Sequence, residues 1–236
     1  MVLKIQDIKL FNNYLSKKKP EIILQEVINK LFKKKITYVC SFGTESAIIL
    51  HLISKIDKNL PIMMLNTHFL FDETLQYKNE LLDKLKLSNY KEIFPKESDL
   101  RLKDKNNDLW KTNIDECCNL RKVLPLENSI KNYDAWISGK KPFHLHERQN
   151  LEVCELINNK VVVNPLFNIN RSFVDSYFIE NNLPRHPLQK KGFFSIGCTN
   201  CTVKSNNIND PRSGRWSNKI KTECGIHIER RRRKHG

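Results

Sequence analysis

Apolar residues recur along this chain in two alternating rhythms. Over residues 21–34 they fall at Ile23, Val27 and Leu31, four apart, which is the spacing of an amphipathic helix. Ile36-Thr37-Tyr38-Val39-Cys40 is short, β-branched and apolar, and reads as a buried strand. Residues 45–56 return to a helical pattern, 61–66 read as a second buried strand, and 72–86 as a third helix with Asp72 placed to cap it. Further strands are expected over 133–138 and 160–164, and a late helix over 171–182. Strand and helix in alternation predict an α/β fold with a mainly parallel sheet flanked by helices. After about Pro184 the periodicity fades and Gly, Ser, Asn and Cys take over. Residues 1–190 are therefore expected to form the α/β domain and 191–236 an extended C-terminal arm.

Composition narrows the class. With 236 residues and 39% hydrophobic positions, the chain suffices for one core. Its longest apolar stretches, such as 47–53, are interrupted by His51 and fall short of a membrane span. The start carries no secretory pattern, so a cytoplasmic location with reduced thiols is expected, and no membrane partner. The formal charge of +15 comes from lysine spread through the whole chain, which reads first as a solvated surface. A small anionic substrate is the next reading, since a basic cleft concentrates anions. The basic run at 230–234 reads as a chain end, and no nucleic-acid-reading motif is present, so no specific nucleic-acid partner is expected.

The seven cysteines carry more information. Cys117 and Cys118 are adjacent, Cys198 and Cys201 form a C-x-x-C, and Cys224 stands alone in Lys221-Thr222-Glu223-Cys224-Gly225-Ile226-His227. In a reducing compartment, paired cysteines bind metals or do redox chemistry more often than they form disulfides. An adjacent pair is awkward for one tetrahedral zinc ion and easier for a [4Fe–4S] cluster, whose thiolates bind different irons. Zinc, and plain helix-core cysteines, are the alternatives. Cys224 has Lys221 and His227 close in sequence, the kind of surroundings that favour a nucleophilic thiolate, against the alternative of an unused thiol in the tail. Cys40 and Cys154 read as strand core.

Two further constellations suit an anion. Ser41-Phe42-Gly43-Thr44-Glu45-Ser46 runs from the first strand into a helix. Its hydroxyls can donate to phosphate oxygens, Gly43 permits a tight turn, and the free amides at the helix start add an anion site. The Walker spacing is absent. Lys140, Lys141, Arg148, Arg212 and Arg215 form a basic collection, with Gly214 read as a turn that presents Arg212 and Arg215 together. Solvated surface charge is the alternative for each. His144 and His146 read as a surface loop.

Taken together these segments resemble the assimilatory sulfonucleotide reductase family, the adenylyl-sulfate and phosphoadenylyl-sulfate reductases. The likeness runs from Ser41 to His227. It includes Leu65-Asn66-Thr67, Cys117-Cys118-Asn119-Leu120-Arg121-Lys122, Asp134-Ala135-Trp136-Ile137-Ser138-Gly139, Ser195-Ile196-Gly197-Cys198-Thr199-Asn200-Cys201 and Asp210-Pro211-Arg212-Ser213-Gly214-Arg215-Trp216. The resemblance implies an adenine-nucleotide alpha-hydrolase-like fold and thioredoxin- or glutaredoxin-dependent release of sulfite from adenylyl sulfate. Cys224 would be the nucleophile, forming an S-sulfocysteine. Ser41, Gly43, Thr44, Glu45, Ser46, Thr67 and Gly139 would hold the nucleotide. Lys122, Arg148, Arg212 and Arg215 would bind the reacting anion, and His227 would sit by the nucleophile and touch the substrate. Cys117, Cys118, Cys198 and Cys201 would bind the [4Fe–4S] cluster, and having all four favours adenylyl sulfate over its 3′-phosphorylated form. A homo-oligomer stays open.

The chain departs from the family at Lys140-Lys141, where Arg is frequent after Gly139. Asn66 and His68 replace a frequent Asp and Gly, and Ser46 a frequent Asp. An ATP pyrophosphatase of the tRNA-thiolating type shares the fold but wants a Ser-Gly-Gly-x-Asp-Ser loop. A cluster-containing nucleic-acid-binding protein would fit the charge but gives Cys224 no role.

Overall fold

A computed structural model describes residues 4–142, 151–205, 207, 210–216, 221 and 223–228. Short apolar runs build the middle of one sheet: β1 (Ile36–Val39), β2 (Ile62–Leu65), β4 (Ala135–Ile137) and β6 (Lys160–Val163), each buried over most of its length. Burial on both faces is what parallel strands covered by helices require. β3 (Tyr90–Ile93) and β5 (Cys154–Ile157) complete six strands in the order β3-β2-β1-β4-β6-β5. All neighbours are parallel except β5, which returns antiparallel on β6. Alternate side chains feed two cores. Tyr38, Met64, Ile137 and Val163 face one, and Val39, Met63, Trp136 and Val162 the other.

Nine α-helices surround the sheet among the described residues. α1 (Ile5–Leu15) precedes α2 (Pro20–Glu26), which passes into a π-turn at Val27–Leu31. The helix expected over 21–34 thus ends three residues early. α3 (Ser46–Ile56) is buried on nearly every side, whereas α4 (Asp72–Leu85) turns Tyr77, Leu81 and Leu85 inward. Asp72 is the first helical residue of α4 rather than its cap, a position held by Phe71; its carboxylate instead faces the positive end of the helix. α5 (Glu97–Lys103), α6 (Leu109–Thr112), α7 (Ile114–Cys118), a π-turn at Asn119–Val123 and α8 (Leu124–Ser129) follow, then α9 (Arg171–Glu180). Asn170 caps α9 by accepting from the Phe173 amide.

The outer edge at β5 is capped at its first residue by one side chain. Asn12 of α1 donates from Nδ2 to the Cys154 carbonyl at 3.0 Å and accepts from the Cys154 amide at 2.8 Å. After α9 the described chain runs through 3-10 turns at Pro187–Lys191, Thr199–Cys201 and Gly225–His227. It touches the body through an isolated bridge between Leu70 and Cys198. Among the described residues no helix is long and apolar enough to cross a membrane.

Candidate active site

The sheet's order reverses between β2-β1 and β4-β6, with β1 at the turning point. A crevice opens outside the carboxyl ends of strands at such a point and is where open α/β sheets bind ligands. Here it is a cavity of about 190 Å³. Its walls are the segment after β1, the segment after β4 and the C-terminal arm.

The first wall is the hydroxyl loop, where Ser41, Gly43, Thr44, Glu45 and Ser46 all face the cavity. The left-handed backbone of this turn falls at Phe42, with φ 51°, and not at Gly43. Phe42 is fully buried against Tyr90, and that packing holds the unfavourable conformation. A Cβ on Gly43 would meet only Ser41 Oγ at 3.8 Å, so the glycine keeps that wall low rather than making the turn. The helix start differs from expectation as well. The amides of Ser46, Ala47 and Ile48 donate to the carbonyls of Gly43, Thr44 and Glu45, leaving anion contact to the loop. Tyr77 braces that loop: its hydroxyl lies 3.3 Å from the Thr44 carbonyl and 2.7 Å from that of Pro184. Behind it, His186 is fully buried, 3.0 Å from Thr74 Oγ1 and accepting from the Leu188 amide. Burial lowers the His186 pKa to about 4, so the ring is neutral.

The second wall is Ser138-Gly139-Lys140-Lys141. Both lysines are buried and ion-paired, Lys140 with Glu155 at 2.6 Å and Lys141 with Glu45 at 2.7 Å. Glu45, expected to hold nucleotide, therefore also anchors Lys141. Ser138 Oγ lies 2.5 Å from Asn164 Oδ1, tying the loop to the end of β6.

The arm supplies the third wall, with Arg212, Arg215, Trp216, Glu223, Cys224 and His227 facing the cavity. His227 stacks on Trp136 with centroids 5.4 Å apart. Arg215 lies over the Trp216 ring at 4.4 Å and donates from Nε to the Cys201 carbonyl at 3.3 Å. Its guanidinium presses on Gly197, where an added Cβ would come within 2.4 Å. Gly214 is likewise steric in purpose: a Cβ there would meet the Val203 carbonyl oxygen at 2.3 Å, and its φ is not left-handed. The turn does present Arg212 and Arg215 to one cavity.

Cys224 is buried, with Gly225 packed on Val123. A hydrogen bond from the Cys118 thiol lowers its pKa against the opposing effect of burial, a donor that a Cys118 thiolate bound to a cluster would not supply. Lys122, the Ile226 amide and Arg215 contribute in the same direction. That hydrogen bond, then burial, raises Cys118. Lys122 is raised although burial opposes it, because Cys198 and Cys224 are near. Cys40 and Cys154 are pushed up by burial, to about 11 and about 12, as core thiols.

A second, smaller cavity lies behind this wall, and Cys117, Cys118, Cys198 and Cys201 all face it. It shares Lys122, Arg215 and Trp216 with the larger one. Beneath it Arg121 is almost wholly buried, bonded to Asp104 at 2.6 and 3.1 Å, to Asn107 at 2.7 Å and to the Thr67 carbonyl at 2.9 Å. Thr67 belongs here and not with the nucleotide loop: it is fully buried, with Oγ1 3.3 Å from Cys198 Sγ. A single tetrahedral ion gathers thiolates to about 2.3 Å from one centre. Among the described residues no three His, Cys, Asp or Glu side chains converge closely enough to hold one ion. The four thiols thus face one small cavity without converging on a single point.

Arg148, His144 and His146 lie outside the described residues. The sequence reading did not single out Trp136, Tyr77, Asp104 or Glu223, whose roles depend on partners far away along the chain.

The phosphoadenosine phosphosulfate reductase domain model matches residues 35–204. A Chelativorans sp. (strain BNC1) protein named adenosine 5′-phosphosulfate reductase is 37% identical over 209 residues, which is 88% of this chain and 85% of that protein. A Bacillus cereus (strain Q1) protein of the same name is 36% identical over 85% of this chain and 87% of its own length. Among solved structures, phosphoadenylyl-sulfate reductase from Candida auris, in a phosphate complex, superimposes with TM-score 0.74 and 25% identity, over 86% of this chain and 99% of that one. Candida glabrata FMN adenylyltransferase shares the fold alone, at TM-score 0.54 and 17% identity, over 94% of this chain and 85% of that one.

Proposed function

The chain belongs to the phosphoadenosine phosphosulfate reductase domain family, and from that membership we propose that it reduces adenylyl sulfate to sulfite and AMP, with Cys224 as nucleophile. One observation carries the reading. Cys224 faces the same cavity as the hydroxyl loop and as Lys122, Arg212 and Arg215.

The chemistry follows from that arrangement. The loop of residues 41–46 and Gly139 hold the adenosine and its phosphate. The Cys224 thiolate attacks the sulfonate sulfur; the bond from sulfur to the bridging phosphate oxygen breaks, and its electron pair leaves with AMP. The negative charge growing on that oxygen is met by Lys122 and the two arginines, each contributing on the order of 3 kcal/mol in a site shielded from water. His227, stacked on Trp136, keeps the arm turned toward the cavity. The enzyme then carries S-sulfocysteine, which splits one difficult transfer into two easier ones. A dithiol protein of the thioredoxin or glutaredoxin class attacks Cys224 Sγ. Sulfite departs with the sulfur–sulfur electron pair, and the partner's second thiol resolves the mixed disulfide. The substrate sulfur gains the two electrons that the dithiol loses.

Cys117, Cys118, Cys198 and Cys201 would hold a [4Fe–4S] cluster. When bound it supplies a fixed charge distribution behind Lys122. Thr67 and Arg121 line that cavity's floor and fix its shape.

Adenylyl sulfate is favoured over its 3′-phosphorylated form because Lys140 and Lys141 are already matched by Glu155 and Glu45. The relatives at 35–39% identity carry the corresponding name. The test is sulfite release by anaerobically purified protein with thioredoxin, offered both nucleotides in parallel. Turnover of adenylyl sulfate is expected; turnover of the phosphorylated form alone overturns the assignment of substrate, and turnover of neither overturns the reaction.

A further inference from the structure

We propose that Glu223 is an internal stand-in for the substrate's anionic group, occupying Arg212 until the sulfonucleotide takes its place. The inference rests on the reductase reading above and concerns the same cavity. Among the described residues, three cations facing that cavity have a carboxylate partner. Lys140 and Lys141 are held at 2.6 and 2.7 Å, within hydrogen-bond distance. Arg212 meets Glu223 at 3.6 Å, a longer contact than either lysine makes. Its side chains are only 10% and 14% exposed, so water screens their charges weakly. Glu223 also sits one residue before the nucleophile and faces the cavity itself.

An anion approaching Arg212 must therefore displace a carboxylate and then lie beside its charge. Inorganic sulfate or phosphate has only its charge to spend on that exchange. A sulfonucleotide adds the contacts of its adenosine, so the carboxylate selects for anions that carry a nucleoside. Another ion pair of the arm, Lys221 with Asp115, provides a contrast, since Asp115 is 79% exposed and does not face the cavity. Glu223 is thus a positioning and selectivity residue that acts through Arg212.

The test compares adenylyl sulfate binding to full-length C224S and C224S/E223Q proteins, in which no turnover occurs, by titration calorimetry. Glu223→Gln is expected to tighten binding roughly fivefold, the scale of a modest coupling between two ligands of one group. With Cys224 intact, KM falls in the same direction, and inorganic sulfate becomes a stronger inhibitor of E223Q than of the parent. Mere structural damage does not tighten binding, so the direction of change is the informative readout. Asp115→Asn should leave affinity within about twofold. Glu223→Ala carries the same expectation as E223Q and replaces it if the amide variant is poorly folded. Equal or weaker affinity in both Glu223 variants overturns the stand-in while leaving the reductase reading intact. Absence of adenylyl sulfate binding in every protein overturns both.

Discussion

The two cavities share a wall but are built on opposite principles. The larger one is lined by hydroxyls and cations from the ends of β1 and β4 and from the arm, and one of its ion pairs, Arg212 with Glu223, is longer than a hydrogen bond. The smaller is lined by thiols over a floor of fixed hydrogen bonds, in which Arg121 is bonded to Asp104, Asn107 and Thr67 at once. Lys122, Arg215 and Trp216 belong to both. On the proposed reading the contrast separates tasks: one side would accept and release an anion, the other would keep a set of sulfur donors, and the shared cations would let each feel the other's charge.

The sharpest way to break that division is at the nucleophile. Cys224→Ser should abolish sulfite release while leaving the iron content and brown colour of the protein unchanged, read by a sulfite assay and by iron analysis. Removing the shared cation comes next: Lys122→Met should lower kcat/KM on the order of a hundredfold or more, in steady-state assays of an iron-loaded protein. On the floor of the smaller cavity, Asp104→Ala leaves a buried guanidinium without its carboxylate and should cost about 3–5 kcal/mol in urea unfolding. The brace behind the nucleotide loop gives a pH signature. His186 is neutral in the folded chain with its pKa lowered to about 4, against about 6.5 unfolded, so the unfolded chain binds the extra proton between those values. Stability present above pH 6.5 is therefore lost as pH falls toward 4, by about 3 kcal/mol, and His186→Gln should flatten that part of the unfolding profile. The smallest effect sharpens the boundary between the cavities. Thr67→Val should leave AMP affinity unchanged and loosen iron retention, measured by chelator challenge.

The sequence made the middle of the sheet readable because β1, β2, β4 and β6 are continuous apolar runs, as burial on both faces demands. β3 was hidden for the converse reason: Tyr90-Lys91-Glu92-Ile93 lies at an edge and buries only Ile93. The helices from 97 to 129 are four to seven residues long, too short to display a period. At the site, the cysteine pairs and the basic arm announced themselves through residue type and spacing. Thr67 did not, because the family likeness placed it with the nucleotide while the fold turns its hydroxyl onto Cys198. Arg121 read as one more cation beside Lys122; only the approach of Asp104, 17 positions earlier, makes it a buried support. Glu223 read as a neighbour of the nucleophile and acquires its meaning from Arg212, across a turn that no local pattern specifies.

Asn12 has a bearing on how the chain survives among its own copies. An open edge strand is a template on which another chain can lay its backbone, and in a crowded cell that leads to aggregation. By imitating the donor and acceptor of a seventh strand, the single amide of Asn12 occupies the outward-facing hydrogen bonds of Cys154. One side chain, borrowed from the first helix, thus blocks the edge at that one residue. A change there would leave that position of the edge open to the backbone of another chain.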